Sequence, residues 1–208
     1  MLCFVSTALA AYIIGSFPTG YLAGRLRGID IRKAGSGNPG ATNVTRVLGK
    51  WFGYPVFIVD FGKGLVAVLL ARAIAQQCGL AAFATDLCMA IGGMFSVVGH
   101  SYPVWLGFKG GKGVATSLGV IFGFSWIAAA IALIVWILTF KTTRYVSVAS
   151  IIAAIALPVT MMVLLFRQQL RSPVLVYFSA CLTLIVIVRH RSNISRLFSG
   201  TETRFAKK

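Results

Sequence analysis

Six stretches of this chain are nearly free of charge, and each is about as long as the roughly 20 residues a helix needs to cross bilayer hydrocarbon. They run from Met1 to Gly24, Trp51 to Ala71, Gly79 to Gly99, Gly113 to Phe140, Tyr145 to Phe166 and Ser172 to Val188. Inside lipid only helices and closed barrels satisfy every backbone N–H and C=O. These runs are continuous rather than alternating, so they predict helices. Composition agrees: 58% of the 208 residues are hydrophobic, 12% are charged and mean hydropathy is +0.86, unlike a water-soluble domain. The expected fold class is all-α, a polytopic integral membrane protein with one domain over residues 1–208. The first run lacks a basic leader and opens into an arginine-rich segment, so it reads as a retained span rather than a cleaved signal.

The run Gly113 to Phe140 is too long for one straight crossing: 28 residues extend roughly 42 Å at 1.5 Å per residue, beyond a ~30 Å core. Basic residues accumulate on the cytoplasmic side, and this decides how the run is divided. If it turns near Gly123, Phe124 and Ser125, sixteen of the twenty Lys and Arg residues share one face. They lie in Arg25 to Lys50, at Lys109 and Lys112, at Lys141 and Arg144, and in the tail from Arg189 to Lys208. Arg72, Arg167 and Arg171 then lie on the other face and Lys63 within a span. A single helix would instead split the cations almost evenly. The sequence therefore predicts seven spans, the fourth and fifth short, with the N-terminus outside and the C-terminus cytoplasmic.

Four cysteines, Cys3, Cys78, Cys88 and Cys181, are scattered with no CxxC pair, which predicts packing residues rather than a zinc or disulfide framework. Asp60 and Lys63 stand three apart in the second span, and Asp86 lies in the third. Charges there are costly and rare and point to function, although mutual pairing of Asp60 with Lys63 is the simpler reading.

The polar segments carry the chemistry. Asp30 to Lys50 reads DIRKAGSGNPGATNVTRVLGK. Its glycines let backbone N–H groups approach an anion, its hydroxyls add donors and Arg46 adds a forked cation, which suits a phosphate; a solvated loop is the alternative. Gly35, Gly37 and Gly40 spell a dinucleotide fingerprint only formally, because a membrane helix precedes them and Pro39 interrupts. Gly99 to Gly119 reads GHSYPVWLGFKGGKGVATSLG. Lys109, Gly110, Gly111, Lys112 and Gly113 precede a helix N-terminus, an arrangement suited to a phosphate monoester; a basic interfacial turn is the alternative. Leu106 occupies the position where a Walker loop would need its first glycine. After the last run comes RHRSNISRLFSGTE, where His190 and Asn193 share a face on a continuing helix, and His suits proton transfer near neutral pH.

These segments resemble the acyl-phosphate:glycerol-3-phosphate acyltransferase family, the PlsY type of bacterial phospholipid synthesis. The motifs are GSFPTGYL at Gly15 to Leu22, GSGNPGATNVTR at Gly35 to Arg46, DFGKG at Asp60 to Gly64, GHSYPVWLGFKGGKGVAT at Gly99 to Thr116, RYVS at Arg144 to Ser147, and HRSNISRL with GTE near the end. The resemblance covers nearly the whole chain without a clear departure in the motifs; Gln76 to Phe83 carries no family signal. It implies seven membrane helices, an active site facing the cytoplasm of a bacterial inner membrane, and attack of the 1-hydroxyl of sn-glycerol 3-phosphate on a fatty acyl phosphate. Lysophosphatidic acid and phosphate are the implied products, without use of acyl-CoA.

By that analogy Ser36, Arg46, His190 and Asn193 are indispensable and KGGKG binds glycerol 3-phosphate. Arg46, Lys109 or Lys112, and Ser147 are expected on its phosphate, with His190 and Asn193 orienting its hydroxyls. Gly40, Ala41, Thr42 and Asn43, with Ser36, are expected around the acyl phosphate. The proton goes to His190 or to a substrate phosphate oxygen, and Glu202 ties the tail to the basic surface. An acyl phosphate is already an activated anhydride, so no cofactor or metal is expected, and the expected partners are the two substrates and membrane lipids, without nucleic acid, for a monomer. An anion transporter is the rival reading and a structural lipid-binding protein the third.

Overall fold

The structure is a computed structural model that describes residues 1–170 and 172–205. Arg171, Lys207 and Lys208 of the charge count lie outside the described residues. The chain forms two compact units, Met1–Gly123 and Phe124–Lys208, and helices make up the regular structure of both among the described residues.

The first unit contains α1 (Leu2–Ser16), α2 (Thr19–Arg25), α3 (Ala41–Leu48), α4 (Lys50–Gln77), α5 (Ala82–Ser101) and α6 (Val114–Phe124). Helix α5 packs on α1 and α4, and the short α3 lies along α4. Lipid tails are as apolar as leucine, so helices here gain by close approach across small residues. A Cβ on Gly15 would run into the Ser96 carbonyl, and one on Gly64 into the Thr116 carbonyl. Pro18 has no N–H to extend α1, so the helix stops at Phe17 and restarts as α2.

Cys3 and Cys78 form a disulfide, with Cα atoms 6.7 Å apart. This corrects the expectation that all four cysteines are packing residues. The partners are 75 residues apart, and spacing says nothing about such a pair until helix packing sets the first turn of α1 beside the end of α4. Cys88 is free and buried, and Cys181 is free and exposed.

The second unit contains α7 (Trp126–Thr143), α8 (Val146–Phe166), α9 (Val174–Arg189) and α10 (Arg191–Phe198), with α8 packed between α7 and α9. The predicted break in the long run is present at Ser125, whose hydroxyl caps α7 by accepting from the Ala128 N–H at 3.3 Å. Of the two helices expected to be short, α6 is, with 11 residues, whereas α7 has 18 and is long enough to cross. The break lies near the middle of the run, and α7 gains its length by continuing past Lys141 until Arg144 ends it in a left-handed conformation. Helices α9 and α10 meet at a 56° bend at His190, so the continuous helix expected through His190 and Asn193 is replaced by a corner.

Among the described residues, four helical stretches are long and apolar enough to cross a membrane: Leu2–Arg25, Ala82–Leu106, Trp126–Thr143 and Val146–Phe166. A fifth is the bent pair Val174–Arg189 with Arg191–Phe198, if it is one span.

Candidate active site

In the first unit, the segment before α3 is organised by one side chain. Asn43 is 1% exposed; its Oδ1 accepts from the Ser36 N–H at 2.8 Å, and its amide donates to the carbonyls of Ile31 (3.3 Å) and Ala34 (3.0 Å). Gly35 and Gly37 take positive φ, which lets the chain turn tightly over this amide. Asn43 therefore shapes the loop around Ser36 from within rather than facing a substrate. Beside it, Asp30 accepts two bonds from the Arg32 guanidinium, which lower its carboxyl to about 2. Helix α3 begins after Gly40, and helix geometry leaves the N–H groups of Ala41 and Thr42 without intrahelical acceptors. These are the backbone donors expected for an anion. Ser36 is exposed and Arg46 half-buried on α3.

The second glycine-rich segment differs from expectation in detail. The Gly110 N–H donates to the Ser101 carbonyl (3.2 Å) and the Gly111 N–H to the His100 carbonyl (3.1 Å). Both are turned inward, which leaves the lysines and the start of α6 as the groups of this segment that can meet an anion. Lys109 is exposed, Lys112 half-buried, and Gly113 takes φ +78° before α6. Beneath this loop, Asp60 and Lys63 pair at 2.6 Å as predicted, with side chains 3% and 6% exposed. The sequence reading missed their partners. Lys63 Nζ also donates to the Phe17 carbonyl at 2.9 Å and lies 3.4 Å from His100 Nδ1, which is 3.6 Å from Asp60 Oδ1.

In the second unit, His190 is 2% exposed and its Nδ1 lies 2.7 Å from the Val186 carbonyl. A carbonyl only accepts, so Nδ1 carries the hydrogen and a neutral ring presents Nε2 as an acceptor. Two predicted residues on different helices meet at Glu202: its Oε1 accepts from the Asn193 amide (2.6 Å) and the Ser147 hydroxyl (2.8 Å), and Oε2 accepts from Arg196 Nε (2.8 Å). Burial pushes the Glu202 carboxyl up, but the bonds from Asn193, Ser147 and Arg196 outweigh it and hold the group below its ordinary value. The tail continues along the α7–α8 corner, where the Phe205 N–H donates to the Arg144 carbonyl at 3.0 Å and the Arg204 guanidinium lies 4.8 Å from the Tyr145 ring centroid. Glu202 thus ties the tail down, as expected, but to Ser147 and Asn193 as well as to a cation.

Fold and polar segments define a class: an all-helical integral membrane protein that carries hydroxyl, amide and cationic groups suited to phosphate at its helix ends. Comparison with known proteins makes the class specific. The family described as Glycerol-3-phosphate acyltransferase matches residues 5–200, and the chain belongs to that family. It is 48% identical to the glycerol-3-phosphate acyltransferase of Synechococcus elongatus over 209 residues, covering 100% of this chain and 97% of that one. It is 49% identical to that of Geobacter sulfurreducens over 195 residues, 94% of each chain. Among solved structures, it superposes on PlsY (YgiH), an integral membrane glycerol 3-phosphate acyltransferase, in its glycerol 3-phosphate form with a TM-score of 0.85 and 42% identity, over 98% of this chain and 96% of that one. The lysophosphatidic acid form of PlsY gives a TM-score of 0.84 at 41% identity, over 98% and 95%.

Proposed function

We propose that this protein transfers a fatty acyl group from acyl phosphate to the 1-hydroxyl of sn-glycerol 3-phosphate, releasing lysophosphatidic acid and inorganic phosphate, the first acylation step of bacterial phospholipid synthesis. The observation that carries the reading is near full-length similarity to a membrane enzyme known in glycerol 3-phosphate and lysophosphatidic acid forms, the acceptor and the product of this reaction. The hydroxyl oxygen attacks the acyl carbonyl carbon, the new ester C–O bond forms, the bond from carbonyl carbon to phosphate oxygen breaks, and phosphate leaves with the electron pair. The donor is a mixed anhydride, so the protein supplies position, charge neutralisation and a route for one proton.

Arg46 and Lys109 or Lys112 neutralise the glycerol phosphate, while the N–H groups of Ala41 and Thr42 with the Ser36 hydroxyl receive the acyl phosphate. His190 Nε2 accepts from a glycerol hydroxyl, an orientation fixed by the Nδ1 bond to Val186. Ser147 has a single hydroxyl hydrogen, donated to Glu202; on binding it turns to the substrate phosphate. The proton ends on His190 Nε2 or on a phosphate oxygen.

The reading includes seven spans in the bacterial inner membrane with the polar loops facing the cytoplasm. The disulfide supports this orientation. Disulfides persist in oxidising compartments, and Cys3–Cys78 lies where α1 begins and α4 ends, opposite the ends that bear the glycine-rich loops. The test is product identity. Purified protein given glycerol 3-phosphate should form 1-acylglycerol 3-phosphate, read by mass spectrometry, from palmitoyl phosphate and not from palmitoyl-CoA. Equal use of the thioester would overturn the donor assignment.

A further inference from the structure

Buried charges that only neutralise one another can be replaced by apolar groups with little loss. Asp60 and Lys63 do more, because both reach beyond their own helix. Pro18 breaks the first span and exposes the Phe17 carbonyl, which receives the Lys63 ammonium at 2.9 Å. His100 Nδ1 sits between the ammonium at 3.4 Å and the carboxylate at 3.6 Å. The same histidine holds the glycine-rich turn twice: its carbonyl accepts the Gly111 N–H at 3.1 Å, and its ring lies flush against Gly111, where any Cβ would run into Nε2. A small cavity of about 10 Å³ lies between, bordered by all three charged or ring side chains and by Pro39 of the first glycine-rich loop. Direct contacts thus run from the break in the first span through the buried pair to the turn that carries Lys109 and Lys112.

We propose that Asp60, Lys63 and His100 are a positioning cluster for the acyltransferase reaction, holding the Lys109–Gly113 turn in the one geometry that presents its lysines to glycerol 3-phosphate. The proposal rests on the reading that this turn binds that substrate. None of the three touches substrate; they act through the turn.

Steady-state kinetics with each substrate varied in turn tests it. His100→Ala should raise the KM for glycerol 3-phosphate about tenfold or more, since small misplacements of binding groups are costly. The KM for acyl phosphate should stay within about twofold, and kcat should fall less than kcat/KM for glycerol 3-phosphate. His100→Asn, whose amide oxygen can accept from the Lys63 ammonium in place of Nδ1, should recover part of the loss. The double variant Asp60→Asn/Lys63→Met removes both charges together, so it tests the role without leaving an unpaired buried ion. It should elute as a single species and still show the selective rise in KM. A double variant with wild-type constants, or variants that lose both KM values and kcat alike, would overturn the cluster's role and leave an ordinary structural ion pair. Lys109→Ala and Lys112→Ala separate this from failure of the underlying reading: if neither moves the KM for glycerol 3-phosphate, the turn is not its site and the proposal falls with it.

Discussion

At the scale of single residues, Glu202 shows how hydroxyl, amide and guanidinium donors hold one carboxylate. It faces three donors at once, and those bonds hold its pKa below the ordinary 4.5 of a glutamate despite its burial. A carboxyl depressed in the folded state contributes stability above its unfolded pKa, and that contribution is lost as pH falls through the lower folded value. The wild-type protein should therefore lose this contribution as pH falls through the acid range at and below the ordinary glutamate value, whereas Glu202→Gln should show a flatter loss of melting temperature over the same range. Identical acid profiles would contradict the contact. Ser36, Arg46, His190 and Asn193 became candidates because they stand in polar motifs that resemble those of the family. The sequence did not show that Asn43 faces inward or that His100 completes the buried pair, because neither follows from spacing. Asn43 depends on the path of a loop without regular structure, and His100 lies 37 residues from Lys63.

At the scale of elements, apolar run length located the helices well and charge located their ends. The division of the longest run at Ser125 was legible because 28 apolar residues exceed one crossing, and the sequence placed the turn within three residues. The length of α7 was not, because the apolar run ends at Phe140 while the helix continues through the exposed Lys141, whose ammonium is tolerated at a helix end, to Thr143. The bend at His190 carries no proline or glycine to announce it. The Cys3–Cys78 link between α1 and α4 was hidden for the same reason as His100. Closing a loop of 75 residues restricts the unfolded chain by roughly 4 kcal/mol in the chain-entropy description. Cys3→Ser should accordingly lower the melting temperature of the purified protein by several degrees while turnover at room temperature persists, since the disulfide lies at the far end of α1 from the polar loops. Loss of turnover without loss of stability would contradict a purely stabilising role.

At the scale of the whole molecule, the proposed orientation joins the charge count to the disulfide: it sets the cations on the cytoplasmic side and the bridge on the oxidising one. Cysteine labelling in intact cells tests the assignment in a background where the exposed Cys181 is replaced by Ser. A membrane-impermeant maleimide should reach Ala82→Cys from outside and Lys33→Cys only after lysis; the reverse pattern would invert the topology. The family was legible from sequence alone because its motifs are many and spread along the chain. The acyl donor is what its chemistry leaves to measurement. The most direct measurement is phosphate release by the purified protein given palmitoyl phosphate, with and without glycerol 3-phosphate, alongside His190→Ala. Release that requires both substrates and falls by about a hundredfold or more without the imidazole is predicted for a residue that orients the acceptor hydroxyl for attack. Release independent of glycerol 3-phosphate, or no turnover by folded protein, would contradict acyl transfer from acyl phosphate.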